Sequence, residues 1–140
     1  MSSIAEGDNY EISMDEHGVV VCRVWRRPDL DHDAGARCAE EMLERIRDLA
    51  LSSEATGFVY DLREAPPVAG PRTQAAIVGI VALWVEGGRR VAIAVGDASL
   101  RKLQMQRLVS EAATQEAAVF DEPDEALRWV RKPDRQPSMS

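Results

Sequence analysis

Gly57–Leu62 reads Gly-Phe-Val-Tyr-Asp-Leu, a short apolar run closing on an acidic residue. Such a run suits a strand buried on both faces of a parallel sheet. In Gln74–Val85, Ile77, Ile80, Val81 and Trp84 recur at spacings of three, four and seven, which predicts a helix with one apolar stripe. Arg89–Val95 is a second apolar run, closed by Gly96-Asp97. Strand, helix and strand joined this closely make a βαβ unit, whose crossover should be right-handed. A chain built around that unit is neither all-helical nor purely antiparallel. The connection Arg63–Gly70 holds the pair Pro66-Pro67 and is longer than most strand-to-helix loops. It is the first place to seek a functional site.

The flanking segments extend the pattern. Tyr10–Met14 alternates apolar and polar residues, and Val19–Trp25 resumes after a turn at Asp15–Gly18. Two strands so joined predict an antiparallel hairpin, ended by Pro28. The aspartates of Asp29–Asp33 offer a cap for a helix reaching Ala50, with Cys38, Met42, Ile46 and Leu49 as its buried stripe. Gly87-Gly88 stops the central helix. A further helix from Asp97 or Ser99 to about Ala113 should bury Leu100, Leu103, Leu108, Val109 and Ala112. Ala117–Phe120 reads as a last strand, and Pro123 opens a last helix at a position where its missing N–H costs little. The expected order is β-β-α-β-α-β-α-β-α, an α/β fold with a mixed sheet. One domain spans residues 10–132, with residues 1–9 and 133–140 as flexible termini.

Composition removes several functions. The net charge of −7 disfavours broad nucleic-acid binding, which needs clustered cations. Arg89-Arg90 and Arg101-Lys102 are the basic pairs available. No apolar run approaches the roughly eighteen residues of a membrane helix, and the first residues lack a signal peptide's basic and apolar regions. A cytoplasmic protein is expected. Cys22 and Cys38 have no CxxC spacing and read as buried thiols.

Chemistry-bearing residues are sparse. Asp29, Asp31, His32 and Asp33 resemble a hard-metal cluster, yet near-adjacent loop residues seldom converge on one ion, and capping is the simpler role. His17 sits alone in a turn. There is no Gly-x-Ser-x-Gly, Walker loop or Gly-x-Gly-x-x-Gly. Asp61, at a strand end, lacks the acidic pair and lysine of a phosphoacceptor site, and is expected to accept N–H groups of the following loop. No catalytic residue, metal or cofactor is assigned. Trp84 belongs to the core stripe, whereas Trp129 lies beside its helix's stripe, to cover a neighbouring surface or to make a partner contact. Ala75–Val85 carries no charge over eleven residues, so the central helix is either deeply buried or covered on its second face by another molecule.

From about Tyr10 to Arg131 the chain resembles the STAS domain, the fold of bacterial anti-sigma-factor antagonists. The likeness rests on Asp61-Leu62 ending a buried strand and on the turn Gly87-Gly88-Arg89-Arg90-Val91 entering the next. Arg101-Lys102 early in a helix and the acidic start Asp121–Leu127 add to it. The resemblance implies a non-enzymatic regulatory module that binds proteins. The antagonists carry a phosphorylated serine in an Asp-Ser-Ser-Gly motif, which falls here near Ala69, Gly70 and Pro71. No serine lies between Thr56 and Gly96. Thr73 is the one hydroxyl of that loop and helix start, either a plain cap or a phosphoacceptor. A related branch, the lipid-carrier-like SEC14 fold, implies the alternative of an apolar ligand held beneath the central helix. The expected interaction surface is Arg63, Pro66, Pro67, Arg72, Val78 and Leu83, with a second copy as the first partner.

Overall fold

The computed structural model describes residues 2–27, 29, 31–52, 54–65, 71–97, 99–111 and 115–131; the side chains at 32, 35, 36, 72, 73 and 99 fall outside that description. Three strands open the chain, β1 (Ser2–Glu6), β2 (Tyr10–Met14) and β3 (Val19–Trp25). Helices and strands then alternate as α1 (His32–Ala50), β4 (Gly57–Glu64), α2 (Pro71–Glu86), β5 (Arg90–Ala94), α3 (Ser99–Glu111), β6 (Ala117–Phe120) and α4 (Pro123–Arg131). The six strands lie side by side in chain order. β1, β2 and β3 pair antiparallel, and β3 through β6 pair parallel.

This order decides where the helices go. Each crossover from β3 onward steps the same way across the sheet, and a constant hand then places every crossover helix on one face. Met42 and Ile46 of α1, Ile77 and Trp84 of α2, and Met105 and Leu108 of α3 accordingly share one core with Ile12, Cys22, Tyr60 and Ile93. The opposite face has only α4, whose Ala126 and Val130 pack on Val19, Val59 and Ala92. Gly57 permits that contact, since a Cβ there would lie 2.3 Å from Val130 Cγ1. The α4 helix therefore rests directly on the β4 backbone.

Local chemistry fixes the joints. Asp31 caps α1 by accepting from Ala34 N–H at 2.7 Å, satisfying a donor that the helix leaves free. Asp29 instead pairs with Arg27 at 2.6 Å. Gly18 adopts φ +83° in the β2–β3 turn, a conformation that side chains disfavour. Asp15, buried in that turn, accepts from His17 and Val19 N–H at 2.9 Å each. It also accepts from Arg131 at 3.0 and 2.7 Å, tying the end of α4 to the hairpin.

Three differences from the sequence reading have physical causes. Residues 1–9 were expected to fray, but Ser2–Glu6 forms β1, folded back by a turn in which Gly7 N–H donates to Tyr10 C=O at 2.9 Å. Four of its five residues are exposed, so an edge strand hid behind a polar composition. The loop expected from Arg63 begins later, because β4 runs to Glu64, which stays paired with Trp25 of β3. Leu100 and Leu103 were expected inside, yet each is 62% exposed. Arg101 and Met105 turn inward beside the expected Leu108.

Candidate functional site

At the carboxyl ends of the parallel strands, Asp61 is buried and serves Arg63. It accepts from the Arg63 backbone N–H at 3.2 Å and from its guanidinium at 3.1 Å twice. That is the loop-organising role expected of a carboxylate at a strand end. Asp61 holds the Arg63 guanidinium still more firmly charged, against a smaller opposing effect of burial, and Glu122 lies 3.9 Å away. Arg101, expected in a surface basic pair, is only 7% exposed. It donates to the carbonyls of Arg63 at 3.1 Å, Val95 at 3.2 Å and Ala65 at 2.5 Å. Burial lowers its pKa, and the three carbonyls offset part of the desolvation penalty. Among the described residues these arginines stitch strand ends together.

Beneath α2 the space is filled. Trp84 is fully buried and stacks on Phe58 at 5.2 Å, which stacks on Tyr60 at 5.7 Å. Arg89 lies 4.5 Å over the Trp84 ring and donates to Ser52 C=O at 3.4 Å and to Ala50 C=O, completing the carboxyl end of α1. Trp129 packs on Phe120 at 5.5 Å, the first of the two roles its position left open.

The expected interaction residues separate into three groups. Arg63 is exposed at the end of β4 and ion-paired. Pro66 and Pro67 lie outside the described residues, and Arg72 and Thr73 stand in the first turn of α2 with their side chains outside the description. Val78 and Leu83, expected to need cover, are half-buried against the core, flanked by α1 and α3. The exposed part of α2 is Ala75, Gly79 and Glu86, with Ala82 half-buried beside them. On α3, Leu100 and Leu103 are exposed as well, with Arg107 exposed one turn beyond them. Met105 and Leu108 point inward and Lys102 reaches Asp121 at 2.8 Å, which leaves the two leucines on the outer side of α3. Sequence reading missed them because a leucine pair in a helix ordinarily marks the core.

At the other end of the sheet a cavity of about 360 Å³ is lined by His17, Val19, Thr56, Gly88, Arg90, Val130 and Arg131. Its volume would admit a small ligand, but its arginines are engaged. Arg131 is held by Asp15, and Arg90 donates to Trp129 C=O at 2.8 Å, 3.8 Å from Glu116. Among the described residues no three His, Cys, Asp or Glu side chains group as metal ligands, and no helix is long and apolar enough to cross a membrane.

Among the described residues, the outer side of α2 and the exposed leucines of α3 are the candidate surface for a partner. Compared with known proteins, the chain matches no family model and no curated protein.

Proposed function

We propose that this chain is a non-enzymatic, STAS-like protein-interaction module of the bacterial cytoplasm that associates with a second copy of itself. The observation that carries the reading is the outer surface of α2 and α3. There the middle of the outer α2 face, Ala75 to Ala82, bears no charge, and Leu100 and Leu103 of the neighbouring helix are each 62% exposed. Exposed leucines scattered singly are ordinary, but a contiguous apolar patch with a polar rim marks a contact site. The carrier alternative finds less support, because Trp84 and Phe58 occupy the volume beneath α2 that a ligand would need. A regulatory role for Thr73 belongs to the same reading. A phosphate in the first turn of α2 would sit where free N–H groups and the helix dipole favour negative charge.

Native mass spectrometry and sedimentation of the purified chain test the reading. A dimer mass is expected, with Leu100→Glu/Leu103→Glu shifting it toward monomer while circular dichroism stays unchanged. A wild type that remains monomeric at high concentration, or that carries a retained small ligand, overturns it.

A further inference from the structure

The α2 face also indicates how two copies meet. Its only charged residues are Arg72, in the first turn, and Glu86, at the end. Each is seven positions from Gly79, since 79 − 72 = 7 and 86 − 79 = 7. Between them Ala75 and Ala82 complete spacings of three, four, three and four along the seam 72, 75, 79, 82, 86. That alternation keeps the five positions on one face, and it is the seam along which two helices pack side by side. Ala75, Gly79 and Glu86 are exposed. An added Cβ at Gly79 would meet nothing within 4 Å. Within one copy, then, a mid-helix glycine at an exposed site has no packing reason and weakens its own helix.

We propose that two copies pack α2 against α2 in antiparallel fashion about a two-fold axis passing at Gly79, with position 72 of each copy level with position 86 of the other. This rests on the self-association reading above and specifies its geometry. Antiparallel pairing sets the positive helix end of one copy beside the negative end of the other. It brings Arg72 of each copy level with Glu86 of its mate, so the charges complement one another at both ends of an uncharged seam. A parallel pair would instead align Arg72 with Arg72 and Glu86 with Glu86. Small residues at 75, 79 and 82 let the two backbones approach closely, which gives Gly79 its reason. The sixteen residues of α2 make a helix about 24 Å long. With half of each neighbouring helix, spaced about 10 Å away, the covered strip is about 500 Å² per copy. That total lies at the lower bound for a specific interface, so the dimer should be weak and concentration-dependent.

Sedimentation equilibrium over a concentration series, with circular dichroism as the folding control, tests the geometry. Arg72→Glu and Glu86→Arg should each weaken dimerisation at least tenfold, and the double reversal Arg72→Glu/Glu86→Arg should restore it. Gly79→Leu should also dissociate the dimer. Leucine is a better helix former than glycine, so loss of folding does not explain that result. A wild type that is monomeric throughout overturns both this geometry and the self-association reading. A dimer indifferent to both charge reversals and to Gly79→Leu overturns the geometry alone.

Discussion

Replacing Gly57 by alanine tests whether α4 rests on the sheet as closely as the structure indicates. The new methyl would lie 2.3 Å from Val130 Cγ1, whereas carbon atoms in contact sit about 3.5–4.0 Å apart. Either α4 retreats by more than an ångström or Val130 leaves its rotamer. Overpacking of this kind costs about 1–3 kcal/mol. Restricting the unfolded chain returns about 0.4–1 kcal/mol, so the net loss should be at most about 2.6 kcal/mol, centred on about 1.3 kcal/mol. Val130→Ala alone removes two buried carbons, about 1.5 kcal/mol at roughly 0.8 kcal/mol each. In the double variant the alanine methyl at 57 enters the space that valine vacated. Its stability should then fall close to that of Val130→Ala, not to the sum of the two losses. Urea unfolding of the four proteins, followed by tryptophan fluorescence, measures the coupling directly. Losses that add to within about 0.5 kcal/mol would refute the contact, because independent sites behave that way.

Asp15 gives a pH prediction. Burial, the largest influence, acts to raise its pKa, but hydrogen bonds from Arg131, Val19 and His17 outweigh it and the pKa falls below its ordinary value. A depressed carboxylate pKa stabilises the fold above the unfolded-state value, near 3.9. That stability is lost as pH falls through the lower folded value. Arg131→Met should therefore shrink the drop in urea midpoint between neutral pH and acid below the unfolded value; an unchanged drop contradicts the pairing. Cys22 is fully buried and burial pushes its thiol pKa up, so a thiol reagent should leave it unmodified until the protein unfolds. Peptide mapping that finds Cys22 labelled at native pace opposes this. Trp84→Ala should cost about 3–5 kcal/mol, read as a lower urea midpoint, because the ring is fully buried and stacked on Phe58.

Much of the fold was legible because its signals are local. The apolar run at Gly57, the spacing of Ile77, Ile80 and Trp84, and the stop at Gly87-Gly88 each act within a few residues. Ala117–Phe120 was bounded correctly for the same reason. The misses depend on tertiary context. Ser2–Glu6 is a strand because β2 offers an edge, and no pattern in a polar pentapeptide announces that. Arg101 is buried because three carbonyls from two strand ends converge on it, while Leu100 and Leu103 beside it are left outside. Charge and hydrophobicity ranked those three positions in the reverse order. Of the candidate surface, the lack of charge on α2 was readable. That Val78 and Leu83 are half-buried against the core, and that the large exposed apolar side chains nearby are Leu100 and Leu103 of α3, required the packing of the helical layer.

The winding of the sheet bears on what such a surface can contact. Open α/β sheets usually bind small ligands where the strand order reverses and neighbouring helices part to opposite faces, opening a crevice. Here β3 to β6 advance in one direction, so α1, α2 and α3 stay in one layer and no reversal opens between them. The ends of β4 and β5 are drawn together by Arg101. In that layer α2 lies between α1 and α3. Flat surfaces enclose small molecules poorly, whereas protein interfaces are uncharged at the centre and polar at the rim. The seam at Gly79 supplies that centre, Leu100 and Leu103 widen it, and Arg72 and Glu86 stand at its ends. The same one-way winding keeps α1, α2 and α3 in one layer, the layer that the proposed self-association would use.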